Sequence, residues 1–124
     1  MPVIAAPTAP THELGTTRFT SLATPSRGSS ETSLWRVEIA PGTPATPHRL
    51  TREEVFVVLA GAARVRIGAT EQTAGAGDAI AVPPHELFAI EPAGEEPLQM
   101  VCCLPVGGQA TIDDGEPFTP PWAL

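Results

Sequence analysis

The stretch Gly42-Thr43-Pro44-Ala45-Thr46-Pro47-His48-Arg49-Leu50-Thr51-Arg52-Glu53-Glu54-Val55-Phe56-Val57-Val58-Leu59-Ala60-Gly61 decides the fold of this chain. Its last third, Val55 to Leu59, is a short apolar run rich in β-branched residues and stopped by Gly61, the pattern of a strand buried in a core. Two titratable side chains, His48 and Glu54, precede that run, with Leu50 between them.

Working outward, the flanking segments carry the same period. Upstream, Leu34, Arg36 and Glu38 alternate with Trp35, Val37 and Ile39 until Pro41-Gly42, which reads as a half-buried strand whose Trp/Val/Ile face belongs to a core. Downstream, Ala63 to Ile67 alternates around Arg64 and Arg66, and with Val55 to Leu59 it reads as a hairpin. Ala79 to Val82, Leu87 to Ile90 and Leu98 to Leu104 are further short strands bounded by Gly or Pro. No segment shows helical periodicity with caps, and no internal repeat is evident. The expectation is an all-β sandwich or barrel. A single domain spans 1–124, with a loose N-terminal arm over 1–16. An irregular C-terminal tail over 107–124 has Phe118 and Trp122 set among prolines, and it is expected to dock.

Composition supports this reading and removes several function classes. The 124 residues are 42% apolar, enough for one core without staples, and 15 Pro with 11 Gly imply many turns. Lys, Tyr and Asn are absent, which removes Schiff-base lysines, tyrosine acids and N-glycosylation sequons. A net charge of −7 disfavours nucleic acid and anionic membrane surfaces as partners. The N-terminus has no basic, apolar leader pattern, and no apolar run approaches the roughly 20 residues of a membrane helix. Cys102 and Cys103 are neighbours, a spacing poorly suited to a mutual disulfide, so they read as free thiols in a reducing compartment; the expected location is the cytoplasm. One of the two should face inward and the other outward. Serines lie in no nucleophile elbow and beside no histidine motif, so a Ser-His-Asp hydrolase has no support.

The opening stretch resembles the first motif of the cupin family, G-x5-H-x-H-x3,4-E-x6-G, with Gly42, His48, Glu54 and Gly61 in place and Leu50 at the second histidine position. The second motif, G-x5-P-x-G-x2-H-x3-N, is similar to Gly77 through Pro92: Gly77 and Pro83 match, His85 stands at the inner glycine, Phe88 at the histidine and Pro92 at the asparagine. Residues 62–76 separate the two motifs, a short interval typical of small bacterial cupins. The resemblance implies an all-β jelly-roll barrel of two antiparallel sheets, often dimeric, with a site inside. It also implies, for metal-binding members, a His/His/Glu/His ligand set, of which this chain keeps only His48 and Glu54.

Two donors hold a divalent transition ion weakly, so no cofactor is expected; the alternative is one weakly held divalent transition metal on His48 and Glu54. His85 lies three residues before the family's last ligand. On an extended strand it therefore points to the opposite face, unless the Pro83-Pro84 turn breaks the parity. His48 and Glu54 are the candidate catalytic pair, with Glu54 as base when ionised, or else a remnant in which each group satisfies the other. Leu50, Phe56, Phe88 and His85 are candidate substrate-binding residues around the pair, the first three apolar; core filler is the competing reading of Leu50 and Phe88, and a turn position that of His85. Arg64 and Arg66 share a face that grips a carboxylate or is simply salt-bridged.

The leading expectation is a metal-free cupin that binds a small organic molecule and catalyses proton-transfer chemistry such as isomerisation, cyclisation or elimination. A metal-dependent oxygenase or isomerase with a reduced ligand set is one alternative, and a non-catalytic sensor or structural dimer is another. A homodimer is expected, with Val37, Ile39 or the aromatic tail at the contact.

Overall fold

Antiparallel pairing organises the whole chain, and the computed structural model describes it over residues 3–124. The strands are β1 (His12–Leu14), β2 (Thr17–Ala23), β3 (Thr32–Ile39), β4 (Arg49–Leu50), β5 (Glu54–Ala60), β6 (Ala63–Ile67), β7 (Thr70–Ala74), β8 (Ala79–Val82), β9 (Phe88–Pro92), β10 (Leu98–Pro105) and β11 (Ala110–Thr111). Helical structure among the described residues is confined to two 3-10 turns, Pro25–Arg27 and Pro121–Ala123. One sheet runs β1-β2-β3-β10-β5-β8, a second runs β7-β6-β9, and β4 pairs β11. A bridge between His48 and Phe88 joins the segment leading into β4 to β9. The arrangement is a jelly-roll barrel, all-β as the sequence pattern required.

Alternation along each strand builds the core. Trp35 and Val37 of β3, Phe56 and Val58 of β5, Ile80 and Val82 of β8, and Met100, Cys102 and Leu104 of β10 are all buried. From the other sheet come Ala63, Val65, Ala74, Phe88 and Ala89. Cys102 is buried and Cys103 half-buried, both unbridged, as the parity of a strand requires.

The expected hairpin between Val55–Leu59 and Ala63–Ile67 does not form. β5 pairs with β10 and β8, whereas β6 pairs with β7 and β9. Gly61, at φ +76°, turns the chain from one sheet into the other. A Cβ there would sit 2.4 Å from the Pro97 carbonyl oxygen, so the corner accepts only glycine.

The termini also differ from expectation. Within the segment read as a loose arm, His12–Leu14 pairs with β2, because Thr11 anchors it: its amide donates to the Phe19 carbonyl and its hydroxyl accepts from the Ser21 amide. Met1 and Pro2 of that arm lie outside the described residues. The C-terminal tail docks. Trp122 stacks on Phe19 at 3.6 Å between ring centroids, tilted by only 6°. The hydroxyls of Ser21, Ser33 and Ser26 donate to the carbonyls of Trp122, Ala123 and Leu124 at 2.7, 2.7 and 2.6 Å. Val37 is buried in the chain's own core, and Ile39 and Trp122 are partly buried and pack against it. Arg64 is salt-bridged to Glu91 at 2.9 Å and Glu71 at 3.4 Å, and its guanidinium holds the Glu91 carboxyl below the ordinary range.

Candidate active site

A cavity of about 430 Å³ opens within the barrel. Its walls are Phe19, Trp35, Val37, Phe56, Met100, Cys102 and Leu104 from the large sheet, Phe88 and Ile90 from β9, and Pro120, Pro121 and Trp122 from the tail. His48, Leu50 and Glu54 also line it, as do the threonines Thr17, Thr43 and Thr46. The volume falls in the range of small-molecule sites, and the mixture of many apolar groups with few polar ones is how such sites are built.

Glu54 is the first residue of β5, opposite Val82 of β8, and it shares its strand face with Phe56 and Val58. Inward parity therefore commits the carboxyl to the interior, where it is 5% exposed. Among the described residues, no protein group hydrogen-bonds or ion-pairs it. Burial alone pushes its pKa up to about 8, so the group is largely protonated at neutral pH.

His48 sits on the bridge to β9, exchanging backbone hydrogen bonds with Phe88 at 3.0 Å in both directions. Its Nδ1 lies 2.8 Å from the Thr46 carbonyl. A carbonyl only accepts, so Nδ1 carries the proton and Nε2 is left as an acceptor in neutral imidazole. Burial lowers the His48 pKa and the Thr46 bond only partly opposes this, which keeps the ring neutral.

These positions settle the geometric questions raised by the sequence. His48, Glu54, Leu50, Phe56 and Phe88 come together around one cavity; His85 does not. His85 is exposed in the turn after Pro83-Pro84 at φ +67°, its amide donating to the Leu50 carbonyl and its own carbonyl accepting from Arg49. The double-proline turn leaves the ring outside the barrel, so His85 is removed from the substrate-binding set. The remnant reading, in which His48 and Glu54 satisfy one another, also fails: no hydrogen bond or ion pair joins them, because His48 turns its Nδ1 to Thr46 instead. Nor does the barrel fill itself with its own side chains, given the cavity. Trp35, Met100 and Cys102 were legible only as core; their strand parity already aimed them inward. Nothing in the sequence signalled the Thr46 carbonyl.

The donor set does not fit the metal of metal-binding cupins. Leu50 and Phe88 offer no lone pair where the family places histidines, and the Phe88 ring packs 4.3 Å from the His48 ring. Among the described residues no group of three or more His, Cys, Asp or Glu side chains converges to hold an ion.

An all-β barrel with a ligand-sized internal cavity, entered between loops and tail, defines a class of small binding proteins and enzymes. The sequence profile of the cupin domain matches residues 35–104, more than half of the chain, and the protein belongs to the cupin family. Among solved structures, a cupin-like protein from Thermotoga maritima superposes with a TM-score of 0.68 at 20% identity, covering 77% of this chain and 74% of its own. The polyketide cyclase RemF from Streptomyces resistomycificus gives 0.65 at 21% identity, with 82% and 73% covered. KdgF from Halomonas sp. gives 0.63 at 19% identity, with 73% and 79% covered. At these identities the likeness is one of fold. No curated relative matches by sequence.

Proposed function

We propose that this cupin binds a small organic molecule in its barrel and moves protons on it without a metal, using His48 and Glu54. The observation that carries the reading is the unpartnered, buried Glu54 carboxyl facing the same apolar cavity as a neutral His48 with a free Nε2. The roles are the reverse of those expected from sequence: Glu54, held protonated, is the acid, and His48 is the base. On a β,γ-unsaturated ketone, Nε2 takes a proton from the carbon between the carbonyl and the double bond while Glu54 gives its proton to the carbonyl oxygen. The products of this half are an enol, an imidazolium and a carboxylate. Return of the imidazolium proton to another carbon of the conjugated system, and of the enol proton to Glu54, yields the isomer and resets both groups. That RemF, of similar fold, is a polyketide cyclase fits a conjugated ligand of this kind.

The test is solvent deuterium exchange at the enolisable carbon of ligands found by a thermal-shift screen. His48→Ala and Glu54→Gln should each abolish exchange while weakening ligand binding far less. Full exchange in both variants sinks the assignment, and binding with no exchange in the native protein replaces catalysis by sensing.

A homodimer belongs to the same proposal, through a different face. On the outward face of β5 and its neighbours, Leu34, Cys103 and Val55 stand in register, as do Val101 and Val57 beside Arg36, and Leu59 lies at the bulge of β5; Val57 and Leu59 are 37% and 46% exposed. Such a sheet face is covered in a closed two-fold contact. Light scattering at micromolar concentration should give twice the chain mass, and Leu59→Glu should halve it. The two free thiols fit reducing surroundings such as the cytoplasm. No described helix is long and apolar enough to cross a membrane.

A further inference from the structure

Resting on the ligand-binding reading above, we infer that the barrel selects uncharged aromatic or conjugated molecules bearing hydroxyl or carbonyl groups, and rejects organic anions of the same size and shape. The selectivity follows from where the chain puts its cations. It has no Lys, and none of its seven Arg lines the cavity. Arg64 is paired with Glu71 and Glu91, Arg18 lies against Glu38, and Arg27 and Arg49 are spent on backbone carbonyls. An anion entering the barrel would lose its hydration and meet no counter-charge.

The rim points the same way. Leu14, Ile112 and Phe118 are exposed apolar residues of the lining, 65%, 41% and 39% exposed, so the rim offers apolar surface and, at Thr46, a hydroxyl, but no cation. Inside, Phe19 and Trp122 form a flat stacked wall, and Phe56 packs edge-on to Phe88 at 6.1 Å. Flat rings are matched by such surfaces. Besides the lining threonines Thr17, Thr43 and Thr46, the titratable complement is one of each kind: a carboxyl that donates and an imidazole Nε2 that accepts. A phenol or a conjugated hydroxy-ketone answers both without bearing charge, whereas a carboxylate can only accept.

Equilibrium dialysis of the full chain at neutral pH with three probes of one ring system, 2-naphthol, methyl 2-naphthoate and 2-naphthoate, separates the possibilities. The two neutral probes should bind at least about tenfold more tightly than the anion. Naphthoate binding as tightly as naphthol overturns the selectivity and leaves the pocket reading standing; binding of none of the three overturns both. Ile112→Arg, at an exposed rim position that tolerates a polar side chain, places a cation at the entrance. It should raise naphthoate affinity several-fold relative to naphthol. A naphthoate affinity that this variant leaves unmoved places the discrimination outside the barrel and overturns the inference.

Discussion

Phe88 and His48 are locked to one another: they exchange both backbone hydrogen bonds at 3.0 Å, and their rings pack 4.3 Å apart at 50°. Phe88 stands where metal-binding cupins place their last histidine, so the contact that steadies His48 is the one that replaces a ligand. An aromatic neighbour contributes to the desolvation that lowers the His48 pKa.

Restoring the lost donors should therefore restore metal binding. The double variant Leu50→His/Phe88→His is expected to retain about one Co(II) or Zn(II) per chain through desalting, and the native protein none, as read by elemental analysis. Both positions are buried, so each single variant is expected to melt lower, with added metal recovering stability only in the double variant. An ion retained equally by the native protein, or by no variant, sinks the assignment of these positions.

Glu54 should make stability fall with rising pH. Its folded pKa, about 8, lies above the ordinary 4.5, so between these values the folded chain holds a proton that the unfolded chain has released. Stability is fully present below the unfolded pKa and declines up to the folded one, by at most about 1.4 kcal/mol per pH unit for one proton. His48, its pKa lowered, acts oppositely and only below its ordinary value of 6.5. The clean window is thus pH 6.5 to 8, where denaturant titrations of the native protein should show the decline and Glu54→Gln should flatten it. A Glu54→Gln variant with the same slope contradicts the buried, unpaired carboxyl.

At the corner between the sheets, Gly61→Ala should be severe. The added Cβ meets the Pro97 carbonyl oxygen and the φ of +76° is itself unfavourable for alanine. A loss of about 2–4 kcal/mol is expected, measured by chemical denaturation. Gly42→Ala, also at positive φ but with nothing within 4 Å of its Cβ, is the control and should cost about 1 kcal/mol.

Strands were legible where a local signal marks them: β3 and β6 alternate, and β5, β8 and β10 are short apolar segments bounded by Gly or Pro. β7 (Thr70–Ala74) was not, because only Ala74 of its five residues is buried and an edge strand exposed on both faces has no period to read. β2 hid its period differently. Thr20 and Ser21 are buried polar residues, and Ser21 is held there by Thr11 and by the Trp122 carbonyl 101 positions away. The hairpin expectation failed for the same kind of reason: Gly61 looks like a turn, and which sheet receives β6 is decided by distant partners. At the site, the family spacing placed His48 and Glu54, and their apolar neighbours already implied a raised Glu54 pKa and a lowered His48 pKa, but the His48 tautomer depends on the Thr46 carbonyl, which a residue pattern does not record.

The tail should be a structural wall of the cavity as well as a stabilising strap. Trp122 is half-buried, stacks on Phe19 and lines the cavity, so Trp122→Ala removes apolar burial and a stacked pair, at about 2–3 kcal/mol. Ser33 is 1% exposed and its hydroxyl satisfies the Ala123 carbonyl, so Ser33→Ala leaves that acceptor unpaired at about 1–2 kcal/mol. The two changes act on one docked segment, and their costs should therefore fall short of additive once the tail has detached. Removal of residues 118–124 sets the limit: it should destabilise about as much as the double variant and weaken binding of any barrel ligand by about tenfold or more, since Phe118, Pro120, Pro121 and Trp122 leave together. Chemical denaturation gives the first quantity and equilibrium dialysis the second. A truncated chain that is less stable yet binds with native affinity would show that the tail fastens the barrel without forming its wall.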